Sequence, residues 1–388
     1  MITGDLNAAL AAAVAAAVAS GDLADDGGLS AALGLVAGTW RPAPAEAGGG
    51  PGSYASTLPF ALAHRLAVDP AQVAAALATA LREVPGFNQA GISEISVTGG
   101  GYLSITVTPD ALAQLAVRIS RAGPGCARSQ AMHGARVSAP RDARLAGAHD
   151  WADAWHRMTA EQAGRLAEAA GAEVTWIPPV PGETVPAETA PVEAGPAEAG
   201  PAGTAAGAAG PVAEAVAYAG EDAVRFALSR LVSGPARPHG PGLDPQTVAA
   251  QHLGNPAYAV RYAHAHAASA LRQAVDLGLP EPDTERFQPC LLAHPSELVL
   301  LDAMSWLPER AAGAARRRQP HVVAAYLEDL AGRYFGWQEA CPVMRPGSVP
   351  PRLLDGELIQ ARLQLASAAR TALGTGLGLL GIAAPGRM

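Results

Sequence analysis

The sequence predicts an α+β molecule that is mostly α: a small N-terminal α+β domain, a disordered linker and a C-terminal all-α helical bundle. Three observations predict it. Apolar residues make up 49% of the 388 residues but aromatics only 5%, so alanine dominates the apolar set and favours close-packed helices over a strand-rich sandwich. Apolar and polar residues alternate on either side of Gly99-Gly100-Gly101, a hairpin signal. Residues 183–215 are mostly Pro, Ala, Gly and Glu, with no arginine and almost nothing large and apolar, so burial there cannot offset the chain entropy lost on ordering.

The elements follow in chain order. Residues 1–54 read as a helical segment and loop: an alanine run, Ala8 to Ala19, stopped near Gly21, then a Pro/Gly loop from Arg41 to Gly52. The opening M-I-T-G-D-L has no positive n-region and the alanine run is short and weakly apolar, so neither a secretion signal nor a membrane segment is expected. Residues 55–120 form the α+β domain, with helices over Ser56–Leu66 and Pro70–Val84, the second started by Asp69-Pro70. Strands over Ile92–Val97 and Tyr102–Val107 and a helix from Asp110 to Ile119 complete it. Residues 121–182 are a reduced, partly helical middle, in which Trp151, Trp155, Met158 and Leu166 repeat near helical spacing as core positions. The stretch Arg118–Arg144 has six arginines against one acid, Asp142, but is broken by Gly, Ser and Pro, which favours a solvated basic loop over an RNA-binding arm. After the 183–215 linker, residues 216–388 read as helices at about 220–232, 244–276, 284–302, 305–315, 319–341 and 354–380.

The chain contains no lysine, so all 27 basic residues are arginines. That removes Schiff-base chemistry and lysine-dependent phosphate loops. Cys126, Cys290 and Cys341 stand far apart without a C-x-x-C pair, as expected of a reduced cytoplasmic protein. His264 and His266 fall on different helix faces, and Cys290 with His294 lacks further ligands, so no metal is expected. No local motif for a Ser/His/Asp set is present. No cofactor and no catalytic residue is assigned. Net charge is -8, yet residues 216–388 hold 16 Arg against 15 acids, so an anionic partner should prefer that part.

Asn255-Pro256-Ala257-Tyr258-Ala259-Val260-Arg261-Tyr262-Ala263-His264-Ala265-His266 resembles the N-P-x-Y-Y-V-Q-Y-A-H-A-R signature of the anticodon-binding domain of arginyl-tRNA synthetases. Glu221 to Leu228 looks like the G-x-D-A-L-R-Y-x-L (DALR-type) helix, and Leu330-Ala331-Gly332 through Cys341 like L-A-G-x-F-H-x-F-Y-N-x-C. Leu379 to Met388 resembles the family's terminal L-L-G-I-x-x-P-x-x-M. Gly52-Ser53-Tyr54-Ala55 and Gly101-Tyr102-Leu103-Ser104 are similar to G-D-Y-A and G-F-I-N of its small N-terminal domain. The catalytic H-x-G-H string is missing, and without lysine K-M-S-K-S cannot occur. Nor does any strand–helix alternation predict a parallel nucleotide-binding sheet.

RNA loops are read by stacking bases on aromatic or guanidinium planes. Tyr258, Tyr262, Tyr334, Phe335 and Trp337 offer such planes, with core packing as the competing role, and Arg225, Arg261, Arg272, Arg333 and Arg387 offer phosphate partners. The resemblance implies Tyr262 and Met388 as anticodon-loop contacts. It thus implies a non-catalytic arginyl-tRNA synthetase paralogue, a pseudoenzyme that binds tRNA, arginine-accepting tRNA in the first instance, with a protein partner using the charged tRNA. An interaction scaffold, or an accessory subunit of an arginine–tRNA ligase assembled with another chain, are the competing expectations. His266 for Arg, Ala259 for an aromatic and Gln338-Glu339 for Tyr-Asn depart from the family pattern.

Overall fold

The computed structural model describes residues 2–24, 39–44, 49–84, 91–178, 210–232, 243–343 and 356–388. Most of the expected linker, residues 183–209, lies outside them; its end is helical, as part of α7 (Pro211–Ala219).

The N-terminal module is larger than residues 55–120. Strands β1 (Trp40–Pro42) and β2 (Ser53–Ser56) join β3 (Ile92–Thr98) and β4 (Tyr102–Val107) in an antiparallel sheet of order β1-β2-β4-β3. β2 is buried throughout, so it shows no alternation, and four residues give periodicity nothing to repeat. Gly99, Gly100 and Gly101 all have positive φ, which is why the β3–β4 turn takes glycines; a Cβ on Gly101 would also meet Pro70 at 2.6 Å. Helix α1 (Ile2–Ala19) packs against α3 (Pro70–Glu83), which lies on β3 and β4 next to α2 (Leu58–Leu66). Asp69 caps α3 by accepting from Ala71 N–H at 2.7 Å, and its buried face is Val73, Ala74, Leu77, Ala78 and Leu81. By length and composition α1 passes the test for a membrane-crossing helix, but Leu6, Leu10, Ala13, Val14 and Ala17 are buried in the core.

Two short helices, α4 (Pro109–Ala113) and α5 (Leu115–Ala122), lead to the middle region. There the structure holds a small parallel unit that the sequence pattern did not signal: β5 (Arg136–Pro140) and β6 (Glu173–Ile177) pair in parallel around α6 (Trp151–Ala169). Each strand is five residues long and largely exposed on alternate positions, so neither shows the apolar run usual for parallel strands. α6 seats closely on the sheet because Gly164 has no Cβ; one would lie 2.4 Å from Ala139 Cβ.

The carboxyl half is helical: α8 (Glu221–Ser229), α9 (Pro245–Ala249), α10 (Pro256–Asp276), α11 (Pro295–Ser305), α12 (Leu307–Arg317), α13 (His321–Ala340) and α14 (Gly356–Leu379). The expected helix at 244–276 is two, broken where Asn255 caps α10, and that at 284–302 begins at Pro295, where His294 and Glu297 form a capping box. α14 packs against α10, α13 and α5. The approach is close at Gly376, where a Cβ would stand 2.5 Å from Leu327 Cδ2.

Two buried polar seams join the parts. Gly52 N–H donates to Asp302 Oδ1 (3.0 Å), Tyr54 O–H donates to Ser305 Oγ (2.9 Å) and the Tyr54 and Trp306 rings lie 5.1 Å apart, docking the N-terminal sheet on α11–α12. At the other seam Glu161, 1% exposed, receives Arg165 (2.7 Å), Arg225 (3.1 Å) and Ala143 N–H (3.2 Å), and Gln162 donates to Ser229 Oγ and Leu380 O, both at 2.8 Å. Arg225, read from sequence as a phosphate partner, is therefore an internal tie; it also pairs with Glu221 (3.1 Å) and donates to Ala143 O.

Candidate nucleic-acid interface

Helix α10 is positioned from its first turn. Asn255 Oδ1 accepts from Ala257 N–H at 3.2 Å, while its Nδ2 donates to Val248 O (2.9 Å) and Ala250 O (2.7 Å). Pro256 then supplies a preset φ at the first helical position. One face of α10, with Ala257, Val260, Ala263 and Ala267, is buried. An adjacent stripe, Tyr258, Tyr262, His266, Ser269 and Gln273, stays half-buried or exposed.

Along that stripe runs an aromatic ladder. Tyr258 stacks on Tyr262 (5.4 Å, 10°), and Tyr262 stacks on Phe335 of α13 (5.9 Å, 23°) and leans on His266 (5.9 Å). His266 Nδ1 and Tyr334 Oη share a hydrogen bond of 2.8 Å, and the Tyr334 ring meets Trp337 edge-on at 5.8 Å. Tyr334 and Trp337 are fully buried, 0% exposed each. This corrects their reading as base-stacking surfaces: they are the inner rungs that hold the outer ones. Burial raises the Tyr334 hydroxyl well above its ordinary pKa and depresses that of His266, so a neutral ring and a neutral phenol meet there.

The chain terminus returns over the same helix. His264 Nδ1 lies 2.8 Å from Pro385 O and Ala383 N–H donates to Asp222 Oδ1 at 3.1 Å, which fixes the path of the last residues. Burial lowers the pKa of His264, keeping the pin neutral. A cleft of about 590 Å³ results, with Tyr262 and His266 on one wall and Arg272, Arg387 and Met388 around it. Met388 is 53% exposed, and neither Arg272 nor Arg387 makes an ion pair among the described residues. Two acids are close: Asp276 lines the cleft, and Asp222 holds Arg261 at 3.6 Å. Arg333 pairs with Asp329 at 2.7 Å, so Arg261 and Arg333 both have a carboxylate beside the charge they would offer a phosphate.

Of the eight residues proposed from sequence, the structure brings Tyr262, Arg387 and Met388 to one cleft and sets Tyr258 beside it on the Tyr262 ring. Arg261 and Arg333 lie in ion pairs beyond its lining, and Tyr334 and Trp337 lie beneath it. Sequence reasoning missed His264 as the pin of the tail, and Ser269 and Gln273 as lining. The helical offsets of seven and eleven from Tyr262 carried a signal for the latter two; the His264–Pro385 contact spans 121 residues and had none. Among the described residues no group of three or more His, Cys, Asp or Glu could hold a metal ion.

Residues 260–388 match the DALR anticodon binding domain family. The arginine–tRNA ligase of Frankia alni is 42% identical over 169 residues, 44% of this chain and 29% of the ligase. That of Micrococcus luteus is 37% identical over 175 residues, 45% of this chain and 30% of the ligase. The chain thus spans under a third of the length of these curated relatives. The arginyl-tRNA synthetase structure of Thermus thermophilus superposes with a TM-score of 0.61 at 16% identity, covering 90% of this chain and 96% of that one, which shows a shared fold.

Proposed function

We propose that this chain, whose residues 260–388 match the DALR anticodon binding domain family, binds tRNA by the anticodon loop and does not aminoacylate it. The cleft carries the reading. Tyr262 lines it, two arginines that make no ion pair among the described residues stand around it, and Met388 supplies an exposed apolar side chain at its rim. A base stacked on Tyr262 would extend the ladder outward, with Arg272 and Arg387 toward its phosphates. Arginine-accepting tRNA is the substrate this reading puts first, and a cytoplasmic location and a protein partner that uses the bound tRNA belong to it. Ligase chemistry has no place in it, because the chain holds neither H-x-G-H nor any lysine to neutralise a leaving pyrophosphate.

The test is a salt series of binding to tRNA transcripts, arginine-accepting and not, with Tyr262→Ala alongside. Expected is affinity for the arginine-accepting transcript that falls steeply with salt and drops by about tenfold or more in the variant, as loss of one stacked base requires. Equal affinity of variant and wild type, or no binding at low salt, overturns the reading and leaves a protein-interaction scaffold.

A further inference from the structure

A second basic site lies away from this cleft, at the seam of the N-terminal sheet and α12. Arg316-Arg317-Arg318, three consecutive arginines in an acidic chain, end that helix. A cavity of about 170 Å³ opens beside them, walled by Trp40, Trp306, Glu309, Arg310, Arg316 and Arg317. It is smaller than the roughly 300 Å³ at which drug-sized ligands begin to fit, so it suits one compact group. None of Arg310, Arg316 and Arg317 makes an ion pair among the described residues. The acid among them, Glu309, already accepts from Asn7 Nδ2 at 2.9 Å.

The macrodipole at a helix carboxyl end attracts cations and accounts for Arg316 and Arg317 in the last turn. It does not account for Arg310, two turns earlier, converging on the same cavity, nor for Gly313, whose missing side chain leaves room for the Arg317 guanidinium; a Cβ there would lie 3.1 Å from Arg317 Nη2. Partial desolvation, opposed by Glu309 and reinforced by the like charges of Arg317 and Arg41, lowers the Arg316 pKa. Among the described residues the carboxylate that lines this cavity with the arginines is Glu309. Arg316 also lines a neighbouring groove of about 440 Å³ with Arg318, His156 and His321, so the basic rim continues past the first cavity.

We propose that the cavity at the end of α12 is a phosphate site, in which Arg310, Arg316 and Arg317 hold one phosphate group against the two tryptophans, the group being either free or part of an RNA backbone. Guanidinium forks match tetrahedral oxyanions in charge and geometry. The site does not rest on the tRNA reading of the α10 cleft, since it shares no residue with it.

Trp40 reports occupancy: its indole N–H donates to Asn7 Oδ1 (2.8 Å), and Asn7 holds Glu309. The experiment follows the Trp40 and Trp306 indole resonances of the full chain during titration with inorganic phosphate at constant ionic strength in chloride. Expected is a saturable shift at both, with affinity at least tenfold weaker in Arg316→Gln/Arg317→Gln and unchanged in Tyr262→Ala. The two arginines are exposed, so this variant keeps its fold; unchanged resonances of the other indoles check it. Absence of a saturable shift, or a shift that the double variant leaves intact, overturns the proposal. A tRNA transcript added to the phosphate-free protein distinguishes the sources: a shift at both indoles that the double variant weakens assigns an RNA phosphate, and its absence assigns a free one.

Discussion

Tyr262 and Trp337 are joined by three ring contacts, through His266 and Tyr334, yet they have opposite physical roles. Trp337 is wholly buried, so Trp337→Ala should cost about 3–5 kcal/mol of stability and leave tRNA affinity per folded molecule near that of wild type; urea unfolding and binding on the same sample check both. A large affinity loss at unchanged stability would put Trp337 at the ligand. Glu161 is the other residue on which much depends. With Arg225 at 3.1 Å and 7% exposed, Glu161→Gln leaves a buried guanidinium with the part-exposed Glu221 as its remaining counter-charge, so the loss should fall at or below the about 3–5 kcal/mol of a broken buried pair. Denaturant unfolding that shifts by less than about 1 kcal/mol would mean that water or Glu221 takes over the charge.

At the scale of elements, the closing helix and its tail are set by small residues and one histidine. Gly376 lets α14 reach Leu327, and a Cβ there would lie at 2.5 Å. Gly376→Ala should therefore destabilise by about 1–3 kcal/mol through overpacking, outweighing the gain alanine brings to a helix interior; a rise in melting temperature would refute the close approach. His264→Ala frees Pro385 and with it the tail that carries Arg387 and Met388. Expected is weaker tRNA binding with the far-ultraviolet spectrum unchanged. Unaltered affinity would show that the tail needs no pin.

For the whole molecule, the union of N-terminal sheet and bundle turns on Asp302. Burial raises its carboxyl above the ordinary carboxylate range, only partly opposed by the Gly52 N–H it accepts. A folded-state pKa above the unfolded one means that the folded chain holds the proton more tightly. The associated stabilisation is present in full below the unfolded pKa, about 3.9, and is lost as pH rises through the raised value. Asp302→Asn, which keeps the acceptor and removes the charge, should match wild type in acid and exceed it in stability at neutral pH. Parallel unfolding profiles at the two pH values would show that the seam is indifferent to this charge.

The sequence by itself determined the helical character of the carboxyl half, the β3–β4 hairpin with its three glycines, the α3 cap at Asp69, the resemblance that led to Tyr262 and Met388, and Arg387 as a phosphate partner. These are local signals, carried by neighbours within a turn or two of chain. It could not separate Tyr262 from Tyr334 and Trp337, because helical spacing places an aromatic on a stripe without saying which packed helix covers it. Strand β2 and the parallel β5–β6 pair escaped for the same reason: each is too short for periodicity, and its pairing lies in partners up to about 50 residues away. Arg225 inside an ion network, the tail held by His264, and three arginines gathered around one cavity are all products of long-range packing. Only the tertiary structure decided them, since the desolvation and charge pairing that assign such residues their roles exist only once distant segments have closed upon each other.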